Sequence, residues 1–123
     1  MNRVLLLLTE PTTSPLAWHG VELAKALIQQ NTPVDVFFYQ DAANIANRFN
    51  WRPSDEPDLT QQWQALPIEK RVCVSAALVR GVTDLDNADR HDLSGENIAD
   101  GFHLVGLGEL ADLMLQATRV IHL

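Results

Sequence analysis

The chain begins with Val4-Leu5-Leu6-Leu7-Leu8, a continuous apolar run that is closed by Thr9-Glu10-Pro11. Such a run is typical of a strand in a parallel sheet, because both faces of that sheet are covered by helices. Ser14 and Pro15 then supply an N-cap and a first helical residue. Residues 21–28 continue with an apolar stripe at helical spacing, so the sequence predicts a strand followed by a helix.

The same alternation continues to the end of the chain. Strands are predicted near residues 3–8, 33–39, 70–76 and 118–123. Helical segments are predicted across residues 42–48, 58–66 and 76–80, and after Gly106-Leu107-Gly108. The polar stretch from Thr83 to Asp100 is predicted to be a surface excursion. Strands that alternate with helices indicate one α/β domain spanning residues 1–123, with a mostly parallel sheet and helices on both faces.

Composition limits the classes of partner and compartment. Nine basic and sixteen acidic residues give a formal net charge of −7. Direct nucleic-acid binding depends on neutralising phosphates with Lys and Arg, so this balance argues against it. One cysteine forms no internal disulfide, and the first apolar run is too short to span a bilayer. We therefore expect a cytoplasmic chain that contacts neither a membrane nor RNA directly.

Cys73 is the strongest candidate for chemistry. A lone cysteine in an apolar strand is usually a small buried hydrophobe. Cys73, however, lies near the carboxyl end of a predicted parallel strand, where the reaction sites of open α/β sheets gather. A helix starting there favours the thiolate, and Lys70, Arg71 and Arg80 are close enough in sequence to add positive potential. From the residues alone, a reactive thiol and an inert buried thiol both remain open.

Other candidate residues give weaker signals. The histidines are not spaced as metal ligands on one helix, and a single cysteine leaves no zinc set; they are His19, His91, His103 and His122. His19 or His103 is a possible thiol partner, although a surface role is more typical. Gly106-Leu107-Gly108 lacks the third glycine of a dinucleotide fingerprint, so a tight turn explains it better. The sequence predicts no metal and no organic cofactor.

The segment from Val72 to Val82 resembles the cysteine-bearing segment of the TusD/DsrE family. The resemblance extends from about Val4 to Leu123, although the loop from Thr9 to His19 matches least well. Matching positions keep their order along the chain: Phe37-Phe38-Tyr39, Ala46-Asn47, Ser54-Asp55-Glu56, Asp58, Trp63, Gly101-Phe102, Leu104, Gly106 to Leu110, and Arg119-Val120.

The resemblance implies a DsrE-like sulfur-carrier domain and a sulfurtransferase activity. In the family, the cysteine that matches Cys73 receives sulfane sulfur as a persulfide and passes it to the next carrier. The TusD branch serves 2-thiouridine formation at the tRNA wobble position, and the DsrE branch serves sulfur oxidation. A third alternative is a non-catalytic assembly subunit with a buried, inert Cys73.

The resemblance also implies partners. Donor and acceptor proteins would exchange sulfur with the chain, and TusB/TusC-like or DsrF/DsrH-like homologous subunits would form a hetero-oligomer with it. Aromatic residues are enriched at interfaces. The chain has more aromatic residues than a small core needs, namely Trp18, Trp51, Trp63 and the strand Phe37-Phe38-Tyr39. The composition therefore also predicts association.

Overall fold

A computed structural model describes residues 2–123. The strands β1 to β5 are Val4–Leu8, Val34–Phe38, Lys70–Cys73, Phe102–Val105 and Arg119–His122. The α-helices α1 to α5 are Pro15–Gln29, Leu59–Gln64, Val74–Val79, Leu85–Arg90 and Leu107–Gln116. A 3-10 helix, Gln40–Ala46, lies between β2 and α2.

The five strands form one parallel sheet in the order β4-β3-β2-β1-β5. The predicted α/β fold with a parallel sheet is confirmed. The strand that the sequence did not reveal is β4. Its four residues include an exposed histidine, His103, and it follows a long polar stretch, so its apolar signal is short and interrupted.

Right-handed crossovers divide the helices between the two faces of the sheet. The connections from β1 to β4 all step in one direction and therefore run over one face, which we call the α1 face. The connection from β4 to β5 steps back across the sheet, and so α5 lies on the opposite face, the α5 face. Of the α-helices within residues 2–123, α5 alone lies on that second face.

Side-chain contacts agree with this division. A Cβ atom added to Gly20 of α1 would lie 3.0 Å from Leu8 Cδ2, so α1 packs against the face that carries Leu8. Phe38 pairs with Leu8 in the register and shares its face, and its ring lies 5.1 Å from the ring of Trp63 in α2. Side chains alternate along a strand, so residues 71 and 73 of β3 belong to the α5 face.

The core is centred on β2, every residue of which is buried. The ring of Phe38 contacts Trp63 edge-on and lies 5.3 Å from the ring of Phe102 in β4. Phe37, Phe38 and Trp63 have no exposed surface, so the interpretation of these residues as surplus interface aromatics is wrong. Trp51 is 85% exposed and Trp18 is partly exposed, so these two tryptophans remain available to a partner.

Two helices begin at side chains that cap their first turns. Ser14 caps α1 by accepting a hydrogen bond from Leu16 N, and Pro15 is the first helical residue, as predicted. Asp58 caps α2 by accepting from Gln61 N.

Two predicted segments between the strands differ from the structure in their type of secondary structure. The segment predicted as a helix across residues 42–48 is the 3-10 helix Gln40–Ala46. The polar stretch from Thr83 to Asp100 contains α4, whose cap Asp84 accepts from Asn87 N.

Trp63 provides a test of the core. Its indole Nε1 is buried and has no hydrogen-bond partner within residues 2–123. Trp63→Ala should lower the free energy of unfolding by about 3–5 kcal/mol, because it leaves a large cavity. Trp63→Phe should cost less than about 2 kcal/mol, since the ring contacts persist and an unpaired buried donor is removed. Urea unfolding followed by circular dichroism measures both, and equal losses would contradict the assignment.

Candidate functional site

Cys73 is the last residue of β3, and α3 begins at the next residue, Val74. The predicted strand near residues 70–76 is therefore too long at its carboxyl end, because the apolar run from Val72 to Ala76 continues into a helix. Cys73 occupies the N-cap position of α3, with extended φ of −61° and ψ of 121°, and its side chain makes no capping hydrogen bond. The placement of Cys73 at the carboxyl end of a parallel strand is confirmed.

After the neighbouring strands β3 and β4 the chain turns to opposite faces of the sheet. Cys73 pairs with Val105, the last residue of β4. By the right-handed rule, the chain leaves β3 towards the α1 face and leaves β4 towards the α5 face. Such a topological switch point is where open α/β sheets bind their ligands. Cys73 therefore has the position in this fold that is most often used for chemistry.

The first turns of two helices start beside Cys73. Helix α3 starts directly after it, and α5 starts after Gly106, the residue that follows the register partner Val105. The first N–H groups of a helix lack partners within the helix and favour a nearby anion. Gly106 has a φ of −81°, which any residue adopts, so the interpretation of this glycine as a requirement for a tight turn is wrong.

The side chain of Cys73 is buried, with 1% of its surface exposed. In this conformation a partner therefore does not reach the thiol directly. The Cys73 Sγ atom lies 3.7 Å from Oγ of Ser75, and Ser75 itself is exposed. The buried sulfur is thus in contact with a residue that reaches the surface.

The cations near Cys73 in sequence do not supply free positive charge. Lys70 Nζ donates to the carbonyl of Leu66 at 2.6 Å, and burial lowers the pKa of this amine. Lys70 is also on the α1 face, opposite to Cys73. Arg80 Nε is 3.0 Å from Asp41 Oδ1. The interpretation of these two residues as a source of potential at the thiol is not supported.

Arg71 is on the same face as Cys73 but is occupied by carboxylates. Its Nε is 3.1 Å from Oε2 of Glu109 in α5, and its Nη2 is 2.8 Å from Oε2 of Glu69. Asp35, buried in β2, accepts a hydrogen bond from Arg3 at 2.8 Å, and this bond raises the pKa of the Arg3 guanidinium. The Arg71 pair ties α5 to the sheet and offsets the charge of Glu109 beside the first turn.

Sequence reasoning did not find the pair between Arg71 and Glu109 or the contact between Ser75 and Cys73. The first pair joins residues far apart in the chain, and only the strand register brings them together. The sequence does contain a signal for the contact between Ser75 and Cys73, because a hydroxyl two residues after a cysteine at a strand-to-helix turn lies within reach of the sulfur.

The histidines do not gather at Cys73. All four are exposed, namely His19, His91, His103 and His122. His103 pairs with Arg71 in the register and so lies two residues further from the carboxyl edge than Cys73. His122 Nε2 is 3.0 Å from Thr9 Oγ1. Within residues 2–123, no group of three or more His, Cys, Asp or Glu side chains is arranged to hold a metal ion.

A cleft of about 420 Å³ lies elsewhere, between the loop after β1 and residues 50–60. Thr12, Thr13 and Trp18 line it, and Cys73 does not. The loop that resembles the family least therefore borders this cleft rather than the thiol. Across residues 2–123, no helix has the length and apolar character needed to cross a membrane.

Comparisons with known proteins agree with the fold and identify the family. Residues 1–123 match the model of the DsrE/DsrF-like family. A "Sulfurtransferase TusD homolog" from Vibrio parahaemolyticus is 44% identical, covering 88% of this chain and 86% of the relative. "Sulfurtransferase TusD" from Cronobacter sakazakii is 40% identical, covering 97% and 98%.

A solved structure supports the fold alone. The ychN protein from E. coli superposes with a TM-score of 0.76 at 22% identity, and the match covers 100% of both chains. Together with the family match over the full length and the relatives at about 40% identity, this fold leads to one assignment. The chain belongs to the DsrE/DsrF-like family and is similar to its TusD sulfurtransferases.

Proposed function

We propose that this chain is a sulfurtransferase subunit that carries sulfane sulfur as a persulfide on Cys73. The observation that carries the proposal is the position of Cys73 at the switch point, between the first turns of α3 and α5. The relatives named as sulfurtransferases, about 40% identical over most of the chain, support a transferase role.

The proposed reaction is a balanced thiol exchange. The Cys73 thiolate attacks the outer sulfur of a donor's persulfide, and a new sulfur–sulfur bond forms on Cys73. The bond between the two donor sulfurs breaks, and its electron pair leaves with the donor as a thiolate. An acceptor thiolate then attacks the outer sulfur on Cys73 and regenerates the Cys73 thiolate. Each step exchanges one thiolate for another, so no external oxidant or reductant is consumed.

The surroundings of Cys73 suit this exchange in one respect. The reacting thiolate and the ionised persulfide are both anions, and the positive ends of α3 and α5 favour an anion beside them. The pairing of Arg71 with Glu109 limits the opposing charge of that carboxylate. We infer that the dipoles of these two helix starts, rather than free side-chain cations, favour the ionised sulfur.

The similarity to TusD relatives favours a relay that leads to 2-thiouridine at the tRNA wobble position over a DsrE-like role in sulfur oxidation. The net charge of −7 suits a carrier that passes sulfur to proteins and leaves tRNA binding to a later component. The burial of Cys73 also suits a second candidate, a non-catalytic assembly subunit with an inert thiol.

The two candidates differ in the effect of Cys73→Ser. If Cys73 is the carrier, labelled sulfur from a persulfide donor should bind the native chain and be absent from the variant. The fold should persist, although a buried hydroxyl without a partner costs about 1–3 kcal/mol. Circular dichroism serves as the folding control. Equal labelling of the variant and the native chain would eliminate the carrier role of Cys73.

Access to Cys73 requires local movement, and α5 is the element suited to move. Leu113 is the one buried residue of this helix, and the ion pair between Arg71 and Glu109 helps to hold the helix on the sheet. Local openings of this kind occur well below the free energy of global unfolding. We infer that displacement of the first turn of α5 exposes the sulfur to a donor.

Glu109→Gln tests this route. Loss of an exposed ion pair should ease the displacement of α5 and raise the rate at which iodoacetamide alkylates native Cys73 by about twofold to fivefold. Asp112→Asn is the matched control, because Asp112 is exposed on the same helix and forms no ion pair within residues 2–123. An unchanged rate in Glu109→Gln, or an equal rise in both variants, would show that α5 does not limit access.

We further propose that homologous subunits, or a second copy when these are absent, cover the α5 face. This side of the chain carries exposed apolar side chains on α5 and β5, namely Leu107, Met114, Leu115 and Val120. The centre of that face is covered, since Leu5 and Phe37 are fully buried, but Val120 on the edge strand β5 is 43% exposed. A partner would extend the cover to this edge and to the outer surface of α5.

Leu115→Glu should therefore weaken association without unfolding the chain, because Leu115 is 86% exposed. Val79→Glu, at a site that is 82% exposed on α3, is the control on the other side of the sheet. Sedimentation velocity, alone and with candidate homologous subunits, measures the result. A native chain that remains monomeric in every mixture would refute the interface, as would unchanged association of Leu115→Glu.

A further inference from the structure

We propose that Ser75 is a positioning residue for the sulfur of Cys73, because its hydroxyl donates a hydrogen bond to the thiolate and then to the inner sulfur of the persulfide. The inference deepens the proposed function and rests on it for the persulfide state. It starts from the contact of 3.7 Å between Ser75 Oγ and Cys73 Sγ.

The geometry of the turn produces this contact. Cys73 is the N-cap of α3, and Ser75 is the second residue inside the helix. The chain turns through less than one helical turn between them, so the two short side chains meet. Sulfur is larger than oxygen, and a hydrogen bond to it is correspondingly longer than one between oxygen atoms.

The ionisation of Cys73 decides the direction of this hydrogen bond. In the neutral pair, either the thiol or the hydroxyl can donate. A thiolate has no proton and only accepts, so Ser75 must then be the donor. Hydrogen bonds to an ionised partner are the stronger ones, and the contact therefore favours the reactive form over the neutral thiol.

The hydroxyl of Ser75 is free for this task. Within residues 2–123, Cys73 Sγ is the one hydrogen-bond partner recorded for it. Ser75 is also exposed, whereas Cys73 is 1% exposed, so the serine lies on the surface side of the sulfur. A persulfide donor that approaches from this side meets the sulfur of Cys73 next to the hydroxyl of Ser75.

The test compares Ser75→Ala and Ser75→Thr with the native chain. Alkylation of Cys73 by iodoacetamide is measured across a range of pH. Ser75→Ala should react about threefold to tenfold more slowly at neutral pH, and its rate profile should move to higher pH while its plateau at high pH stays the same. Ser75→Thr, which keeps the hydroxyl, should restore the native profile. Ser94→Ala, an exposed serine elsewhere, is the control.

The shape of the profile separates hydrogen bonding from access. A change in plateau without a shift along the pH axis would mean that Ser75 alters only the exposure of the sulfur, and this result would overturn the proposal. An unchanged profile in Ser75→Ala, or failure of Ser75→Thr to restore it, would overturn it too.

A second measurement addresses the loaded state. After exposure to a persulfide donor, Ser75→Ala should retain its sulfur for a shorter time than the native chain and Ser75→Thr. Equal retention by all three would overturn the proposed role in the persulfide. Failure of the native chain to load sulfur would instead refute the proposed function, and the alkylation profiles would still decide the contact with the thiolate.

Discussion

A strand of a parallel sheet has to be covered on both faces, and each crossover has to be right-handed. The strand order β4-β3-β2-β1-β5 meets both conditions by stepping in one direction three times and returning once, through α5. That return is what separates the chain ends after β3 and β4. The switch point at Cys73, the approach of two helix starts and the exposed apolar residues of α5 and β5 all follow from it.

This dependence explains which features were readable in the sequence. The continuous apolar run of β1 and the β-branched and aromatic residues of β2 indicate a parallel sheet, and Ser14 and Pro15 mark the start of α1, because these are local signals. Strand β4 is too short to give a clear apolar signal. The sequence predicts that β3 continues past Cys73, because Val74 and Ala76 are apolar and such residues suit a buried strand and a buried helix equally. Cys73 was found by its position, whereas its burial and its neighbours depended on the register of β3 with β4 and on the placement of α5.

The site combines a protected sulfur with backbone groups that favour an anion. The cations near Cys73 do not supply free charge to it, because Arg71 and Arg80 are paired with carboxylates and Lys70 lies on the other face. A persulfide readily transfers its outer sulfur to other thiols. The burial of Cys73, which is 1% exposed, therefore suits a carrier that opens only for a partner. Movement of α5 would then link binding on its outer surface to exposure of the sulfur.

Mass spectrometry of the native chain after incubation with a persulfide donor tests the central claim most directly. The account predicts that the peptide containing Cys73 gains the mass of one sulfur atom and loses it when an acceptor thiol is added. The incubation is repeated on the chain unfolded in urea to confirm that the donor is active. A native Cys73 peptide that remains unmodified while the unfolded chain is loaded would contradict the carrier role and leave Cys73 an inert core residue.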